Sequence, residues 1–416
     1  VKAIAKQWAE APTFIMDATL PAIEVLRVFY PKVEVVADID ATMPHVTVRQ
    51  MLGAPASSRK LGIVKERDKP PRIEPPEGNR NLQAIRRAIL HRHLELGRKP
   101  TLVIAQKAVA EWLKPRLPNT IKVEWFNNIA GLDGYKDVRL LITIGRTLPN
   151  VIEVEAYAGA LTGIEPVKTT AQPEKGPRWF DRITRGIRLK DGTGYAVEGD
   201  HHPDPMAEAI RWQIAEGELV QAIGRARGVN RTAATPLAID IMADVVLPIT
   251  IDEVVPWEKV PASAEVEMLV EGVWLDSPTD MAKAWPKVWE TAEAARRWQS
   301  RTTSGQNPIE NILYRTLPAC GRYQRPGERQ KWRTFRYSPD VIPDPAAWLT
   351  DRLGPLAGIW LDTPHVGILD ALFDAAAVGR PEPPASHSIT CFEPRQGEPA
   401  PCHRGHVRLC AVEISL

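Results

Sequence analysis

Residues 138–145, Val-Arg-Leu-Leu-Ile-Thr-Ile-Gly, are apolar apart from Arg139 and Thr143, and Leu140, Leu141, Ile142 and Ile144 put apolar side chains on both sides of a strand. A strand with one solvated face alternates, because successive side chains point to opposite sides of the sheet. A run that is apolar on both sides must be covered on both, and such strands belong to parallel sheets flanked by helices. TLVIA (101–105) has the same character, and VEVVADID (33–40), HVTVRQML (45–52), IKVEWF (121–126) and PLAIDIMAD (236–244) read as further strands. Between them lie helical patterns. Residues 82–97 put Leu82, Ile85, Ile89 and Leu94 on one face, with Asn79 or Asn81 as cap and Gly97 as stop. KAVAEWLKPRL is a short helix broken at Pro115, and NVIEVEAYAGALTG (150–163) is a helix with a glycine stop. Strands alternating with helices predict an α/β fold, a parallel sheet with helices on both faces.

The alternation is interrupted by a Pro-rich loop at 53–78 and by an insertion at 164–204 with a hairpin signal around KDGTG. From 258 onward helical pieces such as TDMAKAWPKVWETAEAARRWQS alternate with Pro-rich turns. The expected organisation is an N-terminal piece (1–44), an α/β domain (45–255), and a mainly helical C-terminal domain (258–416) with an irregular tail. A chain of 416 residues accommodates two or three domains. Its net charge of +2 generates no global attraction to nucleic acid or membrane, so any such binding is local. No apolar run reaches a membrane span, the first residues lack a signal-peptide core, and four cysteines make no disulfide framework. These features predict a cytoplasmic protein.

GELVQAIGRARGVNR (217–231) closes a helical stretch with Arg225, Arg227 and Arg231. Read from the residues alone, it is either a basic helix end facing water and its own macrodipole or a cluster that reaches phosphate. QAIGRAR resembles motif VI of superfamily-2 helicases, Gln-x-x-Gly-Arg-x-x-Arg. DATLP (17–21) resembles motif III, TLVIAQK (101–107) motif IV, and NNIAGLDGYKDVRLLITIG (127–145) motif V. The four follow one another in family order over residues 12–244. The combination is similar to helicases of phages, plasmids and other mobile elements.

The resemblance implies that 45–255 is a second RecA-like lobe and 1–44 a remnant of the first. It implies that Arg225 and Arg227 neutralise charge on a transferring phosphoryl group, with Gln221 contacting phosphate and Gly224 permitting close packing. Gly131 and Asp133 would bridge the nucleotide site and the nucleic-acid track, Asp17 and Thr19 would couple the lobes, and Gln106 and Lys107 would face nucleic acid. The family spacing puts the second arginine at Gly228. Arg227 is taken in its place, with Arg231 beyond it, where a substitution would be milder if that residue is merely on the surface.

The departures matter equally. No Gly-x-x-x-x-Gly-Lys-Ser/Thr loop occurs, and no Asp-Glu pair precedes Asp17. The expectation is therefore the C-terminal part of a longer ATP-dependent DNA helicase or translocase of mobile-element replication. ATP and Mg²⁺ would bind the complete protein, and neither would bind this chain stably by itself, leaving it inactive as an ATP hydrolase. Its partners would be single-stranded or duplex DNA and the missing N-terminal lobe, in the same chain or an upstream frame. A non-enzymatic nucleic-acid-binding replication accessory protein, or an inactive helicase remnant, remains open.

GRYQRPGERQKWRTFRY (321–337) interleaves cations with aromatic residues. Arg329, Lys331, Trp332, Arg333 and Arg336 have the composition of a single-strand contact, phosphate for the cations and bases for the rings. A basic hairpin with its aromatics turned inward is the alternative. The tail holds His387, Cys391, Cys402, His403, His406 and Cys410 without a Cys-x-x-Cys pair, and reads as irregular chain rather than a zinc site.

Overall fold

The computed structural model describes residues 13–17, 19–129, 134–171, 178–261, 263–302, 313, 315–328, 330–362 and 406–414. Two compact units emerge: Val1–Ala262 with His403–Leu416, and Ser263–Cys402.

In chain order the first unit contains β1 (Thr13–Asp17), β2 (Val33–Thr42), β3 (Val46–Leu52), the two-residue pair β4 (Ile63–Val64) and β5 (Arg72–Ile73), β6 (Thr101–Ala105), β7 (Ile121–Trp125), β8 (Leu140–Ile144), β9 (Asp181–Arg188), β10 (Gly194–His201), β11 (Leu237–Met242) and β12 (Glu253–Pro256). Six of these form one sheet in the order β12-β3-β11-β8-β6-β7, every neighbouring pair parallel. All residues of β6 and β8 are buried, as their unbroken apolar runs require. The expected α/β architecture, a parallel sheet flanked by helices, is the one observed.

The helix Arg80–Glu95 begins where Asn79 accepts a hydrogen bond from Leu82 N (3.0 Å), and it buries Leu82, Ile85, Ile89 and Leu94. Asn150 caps Val151–Thr162, and Gly163 ends that helix in the left-handed conformation. The 164–204 insertion contains the antiparallel β9–β10 hairpin, turned at Asp191, whose carboxylate accepts from Thr193 N (2.8 Å).

One strand carries a buried charge. Asp240 in β11 is 1% exposed, and Arg49 of β3 holds it with two bonds (3.1 and 2.8 Å). Arg92 adds a third at 3.1 Å. Burial opposes a charge on the Arg49 guanidinium, but the bonds to Asp240 outweigh it and raise its pKa.

The expected helix over 205–216 runs further. Pro205–Trp212 passes through a π-helical turn, Gln213–Gly217, into Glu218–Gly224. Arg211 explains the wider turn. It is completely buried and bonds Glu208 at i−3 and Glu216 at i+5 (3.0 and 2.9 Å). An α-helix aligns i with i+3 and i+4, and an added residue in the turn brings i+5 to the same side.

Two expectations change. The last residues of the chain are not wholly irregular, because β17 (His406–Ile414) inserts between β1 and β2, antiparallel to both. Its sequence, HVRLCAVEI, lacks Gly and Pro and is rich in aliphatic residues; the bulge between Ala411 and Val412 breaks the period that would have revealed it. In the second unit, helices at Val266–Glu271, Pro278–Ala284, Ala292–Thr302 and Pro345–Leu353 accompany a four-stranded antiparallel sheet that the mainly helical expectation did not include. Its strands are β13 (Val273–Leu275), β14 (Ala319–Gln324), β15 (Arg333–Tyr337) and β16 (Gly358–Leu361), in the order β13-β15-β14-β16. Short strands dense in arginine give a weak period-2 signal. Trp285, Trp289, Tyr323, Phe335, Leu349 and Leu353 form the core of this unit.

His93 titrates against this packing. Thr101 donates its hydroxyl to Lys99 O (2.9 Å), so the same oxygen accepts from His93 Nδ1 (2.9 Å), and Thr120 donates to Nε2 (3.1 Å). The network defines a neutral imidazole. Burial, helped by Arg98, lowers its pKa from 6.5 to about 4. The unfolded chain therefore binds a proton that the folded one refuses. Stability falls as pH drops from 6.5 toward 4, by up to about 1.4 kcal/mol per pH unit. Denaturant midpoints of His93→Gln, measured against the parent across that window, are expected to show a shallower loss; parallel curves would contradict the neutral assignment.

Candidate functional site

The helix Glu218–Gly224 buries Leu219, Val220, Ala222 and Ile223. That anchoring turns Gln221, Gly224 and Arg225 away from the core. Gln221 Nε2 donates to Thr19 Oγ1 at 2.7 Å, and Gln213 Nε2 donates to Thr19 O at 3.0 Å. Thr19 is buried, and Asp17 Oδ1 accepts from both its backbone N (2.7 Å) and its hydroxyl (3.0 Å). The threonine hydroxyl thus gives its proton to Asp17 and receives one from Gln221. Three of the residues singled out in sequence, about 200 positions apart, share one hydrogen-bond chain.

Arg225 ends the helix, and its Nε is buried with no hydrogen-bond partner among the described residues. A donor left in that state costs on the order of 1–3 kcal/mol unless an acceptor arrives. Arg227 is exposed and adopts the left-handed conformation (φ 51°, ψ 49°), which costs free energy for a residue with a Cβ. Gly228, where the family spacing places an arginine, packs against β3. A Cβ there would lie 2.6 Å from Met43 Sδ and 3.3 Å from Val46 Cγ2, so a side chain must displace both.

Arg231 is not a surface residue. It is buried, and Nε (3.0 Å) and Nη2 both donate to Ala226 O. Burial, with Arg139 nearby, lowers its pKa. It closes the carbonyl end of the helix.

Gly131 and Asp133 lie outside the described residues. Gln106 stands at the carboxyl end of β6 as the residue before the helix Lys107–Leu113, accepting from Ser58 Oγ (3.0 Å) and donating to Arg146 O (3.4 Å). Lys107 is exposed, 3.9 Å from Glu111 and 5.7 Å from the Trp125 ring centre. In open parallel sheets the carboxyl ends of the strands form the usual ligand crevice. The residue there that sequence reasoning missed is Arg146. It follows β8 and Gly145, whose positive φ (69°) and close approach to Ala56 O suit only glycine, and it pairs with Asp200. A positively charged residue directly after a buried strand and a glycine was the available signal.

In the second unit the basic aromatic stretch is the β14–β15 hairpin. Tyr323, Phe335 and Tyr337 face its core, so the inward-turned alternative accounts for these rings. Arg333 is not available to phosphate. It pairs with Asp280 and Glu328. Asp280 is fully buried and also accepts from Tyr323 Oη (2.7 Å) and Arg325 (2.6 Å). Burial works against its charge, and these three donors hold its pKa below the usual carboxylate value. Arg329 lies outside the described residues. Lys331 and Trp332 are exposed, and Arg336 is partly buried on the face opposite the core.

Comparison with protein-family models, curated proteins and solved structures yields no match. Among the described residues no cluster of His, Cys, Asp or Glu is arranged to hold a metal ion, and no helix is long and apolar enough to cross a membrane.

The contrast between neighbouring arginines is measurable. Arg231→Ala is expected to cost about 1–3 kcal/mol in chemical denaturation, since it strips the buried Ala226 carbonyl of its donors. Arg227→Gly should stay within about 0.5 kcal/mol of the parent, because glycine adopts its backbone conformation freely. Equal losses for the two would contradict the assignment of Arg231 as the helix-end clamp.

Proposed function

We propose that this chain is the C-terminal part of an ATP-dependent helicase or translocase acting on DNA, with its parallel sheet serving as the second of two RecA-like lobes. The observation that carries the reading is the hydrogen-bond chain from Gln221 through Thr19 to Asp17, beside an arginine with a buried, unpartnered donor. Motifs III and VI work together in such machines, and here the residues that resemble them touch.

The residues fit one half of a nucleotide site. Arg225, Arg227 and Gln221 are donors of the kind that stabilise charge on the equatorial oxygens of a phosphoryl group in transfer. Guanidinium suits the task because it is planar, permanently charged and presents a fork of donors. The sequence offers no phosphate-cradling loop and no Mg²⁺-binding carboxylate pair in the family position, so this chain does not by itself fit ATP and Mg²⁺. Its residues would orient and neutralise a phosphate brought by another lobe. Gln221 would link that arrival to Thr19, because its Nε2 carries a second proton that can bond a phosphate while the first stays on Thr19 Oγ1.

Two outcomes are expected. Residues 1–416 alone should show no nucleic-acid-stimulated ATP hydrolysis above background; turnover by this chain would overturn the two-lobe reading. In a complete protein carrying the cradle, Arg225→Ala should lower kcat by about 10³–10⁵ with nucleotide affinity nearly unchanged, since fingers act on the transition state. A rise in KM with unchanged kcat would instead assign Arg225 to ground-state binding.

A further inference from the structure

The sheet of the second unit has one face packed under helices; on the other, Trp274 at the β13 edge meets Trp298 of the helix Ala292–Thr302, and Arg322, Trp332, Thr334 and Trp360 stay exposed. The cross-strand register decides which residues share the outer face. Arg322 of β14 stands directly opposite Thr334 of β15 and Trp360 of β16. Cys320 stands opposite Arg336, which stands opposite Trp274 of β13. Trp332, two residues before Thr334, continues the row and lies over Gly358, where a Cβ would approach its ring to 3.1 Å. The glycine lets an indole lie across the neighbouring strand.

Trp332 and Trp360 are 45% and 47% exposed, unusual for the side chain that most rewards burial. Trp360 is held in place by the Arg322 guanidinium, 4.6 Å from its ring centre. The exposed cations on or beside this face are Arg322 and Lys331. Two carboxylates lie toward its other end and keep their charge: Asp276 accepts from the neutral donors Thr334 and Trp274, and Asp362 N donates to Cys320 O (3.0 Å). Arg325 and Arg333, which would otherwise add charge, are drawn inward by Asp280. Rigid aromatic faces interspersed with cations match a chain of bases linked by phosphates. Duplex DNA, whose bases are stacked on each other, has no face to offer these rings.

We propose that the exposed part of the outer face of the β13-β15-β14-β16 sheet is a platform for single-stranded nucleic acid, with bases stacked on Trp332 and Trp360 and phosphates neutralised by Arg322 and Lys331. The face is independent of the nucleotide chemistry proposed above and needs no ATP to act.

Anisotropy of a fluorescein-labelled oligo-dT of about 15 nucleotides, titrated with the full chain, tests it. Trp332→Ala and Trp360→Ala should each weaken binding about 5- to 150-fold, as loss of one stacked base does, with the slope of log affinity against log salt unchanged. Arg322→Ala should reduce that slope by about 0.7 for the lost phosphate contact. Trp332→Phe should retain most of the affinity. An oligo-rU of equal length distinguishes DNA from RNA preference, and either preference upholds the platform. A Trp332→Ala/Trp360→Ala double variant that keeps the parent's melting temperature and its oligonucleotide affinity would overturn it, as would a duplex competing as well as the single strand. The titrations contain no nucleotide, so a failure here leaves the helicase reading standing and a failure of that reading leaves this one.

Discussion

The central sheet of the first unit has no solvated face, and what carries chemistry there follows from what must cover it. β6 and β8 are buried along their whole length, so helices pack on both sides and leave only the strand ends and outer helix faces for polar work. The helix Glu218–Gly224 illustrates the consequence. Its apolar residues are committed to the sheet, and the remaining side presents Gln221 and Arg225 together. The same burial demands that any charge in the core be matched. Asp240 is tolerated in β11 because Arg49 and Arg92 reach it from two elements, and removing both cations would leave an unpaired carboxylate in the core.

Much of this was legible in the chain. Apolar runs without alternation announced the parallel sheet, and the periodicity of Leu82, Ile85, Ile89 and Leu94 with Asn79 ahead of them announced a helix and its start. Those signals are local, and local physics decides them. The pairing of Thr19 with Gln221 was legible only as two separate motifs, because nothing in either segment encodes the distance between them. The strand at 406–414 escaped notice for a related reason. Its partners lie near the other end of the sequence, and its bulge blurs the alternation that would have marked it.

Arginine was the residue that composition described least well. A basic stretch looks uniform in sequence, yet burial assigns its members to different tasks. Arg231 clamps a carbonyl, Arg333 and Arg325 neutralise Asp280, Arg211 bridges two glutamates across a π turn, and Arg322 lies against a tryptophan. A guanidinium satisfied by buried carboxylates has little reason to leave them for a phosphate, because the carboxylates would then be stranded. The arginines that remain for a ligand are those whose donors the fold leaves wanting or wet. Counting positive charges therefore overstates a nucleic-acid surface, and the partners of each charge correct the count.

The packing at Gly228 follows the same logic. A Cβ at that position would meet Met43 and Val46. A side chain there would have to push the Met43 thioether aside and press on Val46, so the packing favours an arginine before the contact or after it. Placed after it, Arg231 turns inward to Ala226. Placed before it, Arg227 remains exposed, but only with its backbone in the left-handed region. That conformation is the cost of combining tight packing at residue 228 with a cation at the end of the helix, and it turns the chain at Arg227 away from the helical path that an arginine at 228 would have followed.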